Sequence, residues 1–321
     1  MALRSRRGFF FSVIAIFLVG ALLLNTELKG SSSILERSEV ERARVLSMNE
    51  FLKDVESDIQ RATYISGYRA LLGIEEYILE YGTYVPDSGE AFQTAFINGT
   101  VGNYSPSVLK DSSLNDWKNR MCEKASELGI ELKIIENQIS VVQESPWTVE
   151  IYANLSIILS DKSGLASWAT NKSVHTSIPV LDMEDPLFIV NSYGRISRTI
   201  KKAETLSFVS GNNTTTLLNH LNNGYYITSS HAPSFLMRLE GNLSDSPYGI
   251  ESLVNVAQLS AQGIPTKQAS IVDYIYFGNR TTSNICIDNS AADPDMPAWF
   301  LLDVDDEHDK TYQITQISTS C

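Results

Sequence analysis

The chain has 321 residues, 43% of them hydrophobic and 20% charged, with a formal net charge of −13. That is enough length and apolar content for a sizeable folded core, which excludes a largely disordered chain. Strong acidity repels a phosphate backbone and excludes nucleic acid as an expected partner.

The charge is uneven along the chain. Arg4, Arg6 and Arg7 precede an uncharged run, Gly8 to Leu24, that reads GFFFSVIAIFLVGALLL. As a helix this run is about 25 Å long, at the short end of a bilayer span. Apolar on every face, it does not suit a soluble core helix. A cleaved secretory signal fits its basic start and apolar middle, but no small-x-small site follows Leu24 directly. An anchor over 9–28 fits best. With the arginines before it, the N-terminus lies in the cytoplasm and the remainder outside the cell.

From Ile34 to Ile65 there is neither proline nor glycine. Val45, Met48, Leu52, Val55, Ile59 and Ala62 recur at helical spacing and define one apolar stripe. Ser31–Ser33 mark either a bend or an uninterrupted passage. A second helical stretch, Tyr68 to Tyr81, stops at Gly82 with Pro86 beyond. The stripe can pack on the chain's own sheet, on neighbouring subunits, or on both.

Arg6-Arg7-Gly8-Phe9, the apolar run after it and the long helix together resemble the type IV pilin superfamily, especially the pilin-like proteins of archaea. The resemblance covers about residues 4–65. It implies cleavage by a prepilin peptidase between Gly8 and Phe9, a mature chain starting at Phe9, a lipid bilayer and other pilin-like subunits as partners, and a long helix packed on an antiparallel sheet. Bacterial major pilins usually carry glutamate at the fifth mature position, where this chain has Val13. That departure and the size of the domain point to a minor or tip subunit.

Residues 83–113, rich in Gly, Ser, Asn and Pro, read as a loop excursion. A short helix follows, capped by Ser113, lined by Trp117, Met121, Ala125 and Leu128, and ended by Gly129. Ile130, Leu132 and Ile134 begin a strand. After Pro146-Trp147, Val149, Ile151, Ala153, Leu155, Ile157 and Leu159 fall on every second position, the mark of a strand with one buried face, as in antiparallel sheets. Beyond residue 202, strands are expected at Tyr225–Thr228, Phe235–Leu239, Ile271–Phe277, Trp299–Val304 and Tyr312–Ile317.

The expected fold class is therefore α+β: a transmembrane helix continuing into a long amphipathic helix, packed on an antiparallel β-sheet and followed by a second, mostly-β subdomain. Its organisation is a basic cytoplasmic leader (1–8), the anchor (9–28), amphipathic helices (34–82), an α+β pilin-like domain (83–201) and the C-terminal subdomain (202–321).

Asn-x-Ser/Thr acceptors occur at Asn98, Asn103, Asn154, Asn171, Asn212, Asn213, Asn242 and Asn279, all on the expected outer side. Such loops also generate this triplet by accident. Cys122, Cys286 and Cys321 leave three free thiols or one disulfide open, with Cys122–Cys286 and Cys286–Cys321 the first pairings to test. Asp293, Asp295, Asp303 and Asp305 lie in an acidic stretch around Trp299. It reads as a solvated edge or as oxygen ligands for calcium, without the spacing of an EF-hand. No other cofactor is indicated. His175, His220, His231 and His308 do not sit in HExxH, and neither a nucleophile elbow nor a phosphate loop is present, so no catalytic residues are expected. The function expected is that of an extracellular structural or adhesive subunit. The alternative is a signal-anchored receptor or adhesin that does not assemble.

Overall fold

A single helix dominates the molecule because nothing in the sequence stops it for 76 residues: α1 runs from Arg6 to Tyr81, about 114 Å at 1.5 Å per residue. The computed structural model describes residues 6–278, 285–287 and 306–320, with the side chains of 6–16, 20–36, 285, 286, 306 and 318–320 outside the described set. The helix passes through Ser31–Ser33 and Gly67 without a break, so the two helical stretches expected from sequence are one. It ends where Gly82 takes φ +65° and donates its N–H to the Ile78 carbonyl at 2.8 Å. Among the described residues no helix is long and apolar enough to cross a membrane. Most side chains of the expected 9–28 anchor lie outside that set.

The stripe read from sequence is the buried face. Met48, Leu52, Val55, Ile59 and Ala62 are all buried, and Val45 is half-buried at its end. Further on, Ala70, Leu71, Ile74 and Ile78 are fully enclosed. Arg44 Nη2 meets Asp161 Oδ1 at 2.9 Å near the point where the helix enters the body.

Residues 83–113 are not a simple loop. Helix α2 (Ser88–Asn98) is capped by Asp87, whose carboxylate accepts the Glu90 N–H at 2.8 Å, and buries Ala91, Phe92, Ala95 and Phe96. The breakers that suggest a loop flank this helix and leave its middle clear, at Pro86, Ser88, Gly89, Asn98 and Gly99 and again between 102 and 113. Helix α3 (Leu114–Glu127) starts at Ser113 with a reciprocal cap to Asp116.

Strands β1 (Ile130–Ser145), β2 (Thr148–Asp161) and β3 (Ser167–Pro179) form an antiparallel meander. Every second residue of β2 from Val149 to Leu159 is buried, as the alternation requires. The sheet packs on α1 where Gly67 lets the helix backbone approach: a Cβ there would lie 2.3 Å from Ile151 Cδ1 and 2.8 Å from Ile178 Cδ1.

Beyond the meander, the mostly-β expectation is corrected. The described residues form short helices and short strands: α4 (Pro186–Asn191), β4 (Lys201–Lys202), α5 (Thr215–Asn223), β5 (Tyr225–Thr228), α6 (Phe235–Leu239), β6 (Ile250–Ser252), α7 (Val256–Ala261), α8 (Asp273–Phe277), β7 (Ile285–Ile287), α9 (Asp306–Thr311) and β8 (Ser318–Ser320). Only Tyr225–Thr228 is a strand as expected. Phe235–Leu239 and most of Ile271–Phe277 are helical, because apolar runs this short have no period that separates strand from helix. Tyr312–Ile317 forms turns that bury Tyr312, Ile314 and Ile317. Trp299–Val304 lies outside the described residues.

A buried ionic cluster holds this region together. Arg238, fully enclosed, donates from Nη1 to Asp185 Oδ2 at 2.7 Å and Asp273 Oδ2 at 2.9 Å, and from Nη2 to the Ile250 carbonyl. The Tyr226 hydroxyl adds a 2.6 Å bond to Asp185. Two carboxylates on one guanidinium compensate the cost of burying the charge. Burial still pushes the Asp273 carboxyl up to about 6. Nearby, Glu251 accepts from the Tyr312 hydroxyl at 3.1 Å and meets His308 Nε2 at 3.3 Å.

Candidate functional site

Two exposed features of α1 stand out. The first is its N-terminal part. Residues 6–43 make about 57 Å of helix before the ion pair at Arg44. Within it Phe17, Leu18 and Val19 are 78%, 60% and 56% exposed, and Val40 is 69% exposed. Gly8 and Phe9, the expected processing site, lie on this helix with side chains outside the described set.

The second is a groove of about 370 Å³ between α1 and α3. Arg61, Arg69, Arg120 and Lys124 surround it, opposed by Asp58 and Asp111. Ala62, Ile65 and Met121 give it an apolar lining. Trp117 is buried at its base and donates its indole N–H to Asp58 Oδ2 at 2.8 Å. Arg61 pairs with Asp58 at 2.6 Å, and Arg120 donates to the Asp111 carbonyl at 3.0 Å. Arg69 and Lys124 are exposed and have no carboxylate partner among the described residues. A cationic groove on so acidic a chain concentrates positive potential locally. Periodicity did not find it, because Arg61 and Arg69 lie on the polar side of α1, Arg120 and Lys124 on another helix, and only the α1–α3 packing joins them.

The acceptor asparagines are dispersed. Asn103, Asn212, Asn213 and Asn242 are exposed in turns or connecting segments, Asn98 is exposed at the end of α2, and Asn171 is exposed on β3. Asn154 is half-buried on the outer side of β2, opposite Ser173. Asn171 accepts the Ser156 hydroxyl at 2.7 Å. Asn279 lies outside the described residues.

Cys122 is a free thiol whose Sγ donates to the Leu132 carbonyl at 3.3 Å. The side chain of Cys286 and all of Cys321 fall outside the described set, as do Asp293, Asp295, Asp303 and Asp305. Among the described residues no cluster of histidine, cysteine and carboxylates has the arrangement of a metal site.

The histidines occupy four different settings. His175 meets Glu150 at 2.9 Å, and His231 meets Glu307 at 2.9 Å. His308 is buried against Glu251. His220 is buried among Phe208, Tyr225 and Tyr312, and neither ring nitrogen has a hydrogen-bond partner among the described residues. Burial, with the nearby Arg198 charge, brings its pKa down to about 4.

No protein-family model matches the chain, and neither a curated protein nor a solved structure matches it significantly.

Proposed function

We propose that this chain is a membrane-anchored surface protein of pilin-like build: a structural or adhesive subunit of a pilus-like assembly, with the folded body outside the cell. The carrying observation is the placement of the uncharged 8–24 run at the far end of one continuous helix, with Phe17, Leu18 and Val19 exposed and the body tens of ångströms away. A chain cannot leave such a run in water without cost; a bilayer or a bundle of like helices removes it. In a bundle, Gly20 and Ala21 permit close approach.

Mass spectrometry of the N-terminus of the protein from native membranes tests this. A chain beginning at Phe9 supports prepilin-type processing and assembly. A start at Met1 or Ala2 favours an unassembled receptor or adhesin on a plain signal anchor. A start beyond residue 30 refutes the anchored reading.

A further inference from the structure

We infer that the basic groove between α1 and α3 receives the outward face of α1 from a second copy of this chain, residues 39–50, so that copies follow one another in a head-to-tail array. The inference rests on the reading of the chain as an assembling subunit, and extends it from a single tip position to a repeating one.

Three properties of the two surfaces match. Charge is the first. At 100° per residue, Glu39, Val40, Ala43, Leu46 and Glu50 share one side of α1, opposite Met48, Leu52 and Val55. All five are exposed, Val40 by 69% and Leu46 by 53%. The face is apolar in the middle and acidic at both ends, with Arg42 and Lys53 only at its margin. The groove is apolar at Ala62, Ile65 and Met121 and carries Arg69 and Lys124 without carboxylate partners among the described residues.

Length is the second. Residues 39–50 extend about 17 Å along the helix, and so do residues 58–69, the part of α1 that lines the groove. The third is chemical mixture. Asp58 and Asp111 stand among the cations. They would repel a uniformly anionic polymer, whereas a helix alternating apolar and acidic positions leaves them solvated. A groove lined by one helix and one neighbour is also the usual seat for an amphipathic helix.

Placing 39–50 of one copy beside 58–69 of the next offsets two parallel chains by about 28 Å along α1. Groove and face are different surfaces, so the contact is heterologous and repeats instead of closing on itself. Two copies standing at equal depth in one bilayer cannot make it.

The test uses full-length protein with benzoylphenylalanine at Ile65, irradiated in intact cells that make it. The expected result is a self-adduct of twice the chain mass, mapping by mass spectrometry to residues 39–50. Arg69→Glu with Lys124→Glu should lower its yield about tenfold, and adding Glu39→Lys with Glu50→Lys should restore it. These side chains are exposed, so the melting temperature should stay at that of the parent. Absence of the adduct, an adduct at another segment, on another protein or on a polysaccharide, or a yield indifferent to the charge reversals would overturn the inference. A mature Phe9 N-terminus without the adduct faults this contact alone. An adduct on a chain still starting at Met1 faults the processing and leaves the contact.

Discussion

Replacing His220 by leucine should remove a specific part of the acid sensitivity of the C-terminal region. The imidazole is 2% exposed, both nitrogens lack partners among the described residues, and burial brings its pKa down to about 4 from an ordinary 6.5. Unfolding returns it to water, so between those values the unfolded chain binds more protons than the folded one. Stability is therefore complete above about pH 6.5 and declines as pH falls through that window toward 4. The gap of about 2.5 units corresponds to about 3 kcal/mol. Glu75 and Asp273 act with the opposite sign. Burial raises both carboxyls, so they favour folding below their ordinary values and lose that contribution as pH rises. The comparison must then be between variant and parent, each melted at pH 7.5 and pH 4. Going to pH 4, the parent should lose roughly 10 °C more than His220→Leu. Equal losses would show that His220 is hydrated or partnered, and the reasoning from its burial would be refuted.

Two further substitutions probe the packing. Gly67→Ala gains helix propensity of about 1 kcal/mol but drives a methyl into Ile151 and Ile178, both fully buried. Overpacking should prevail, with a net loss of about 1–2 kcal/mol by chemical denaturation; a stabilised variant would mean that the helix-to-sheet contact is loose. Arg238→Met should cost about 3–5 kcal/mol at pH 7.5, because Asp185 and Asp273 would be left buried without their cation. The penalty should shrink near pH 4 as the Asp273 carboxyl, already raised by burial, takes up its proton, which melting curves at the two pH values will show.

How much of this was legible in the sequence depends on whether the signal was local. The alternation from Val149 to Leu159 specified β2 and its buried face, since a period of two over eleven residues has no helical counterpart. The 45–62 stripe specified the inner side of α1 for the same reason. Composition misled at 83–113, where breakers that terminate α2 concealed the helix between them. Phe235–Leu239 is too short to carry a period that separates strand from helix, and the partners its Arg238 reaches, Asp185 and Asp273, are distant in sequence. The groove escaped notice on similar grounds, being the product of two helices whose polar faces are unremarkable alone. The acceptor asparagines were legible as a pattern; only the structure separates exposed turns from the half-buried Asn154.

The continuity of α1 raises a question of what keeps its outer half helical. Serine is a mediocre helix former, and three occur together at 31–33. Long helices in water draw most of their stability from tertiary packing, and the exposed face at 38–40 and 46–47 has none within the described chain. The Arg37–Glu41 pair, 3.1 Å apart across one turn, contributes only a few tenths of a kcal/mol. On the proposed function, lipid or like helices around 9–28 support one end of the arm, and whatever covers Val40 and Leu46 supports the other. In the proposed contact, a neighbour's groove seated on 39–50 supplies the second, burying Val40 and Leu46 close to the point where Arg44 ties the helix to Asp161. On this account assembly and helix continuity are coupled. Charge reversal in the groove should leave the body's melting unchanged while making the 29–43 segment easier to cleave.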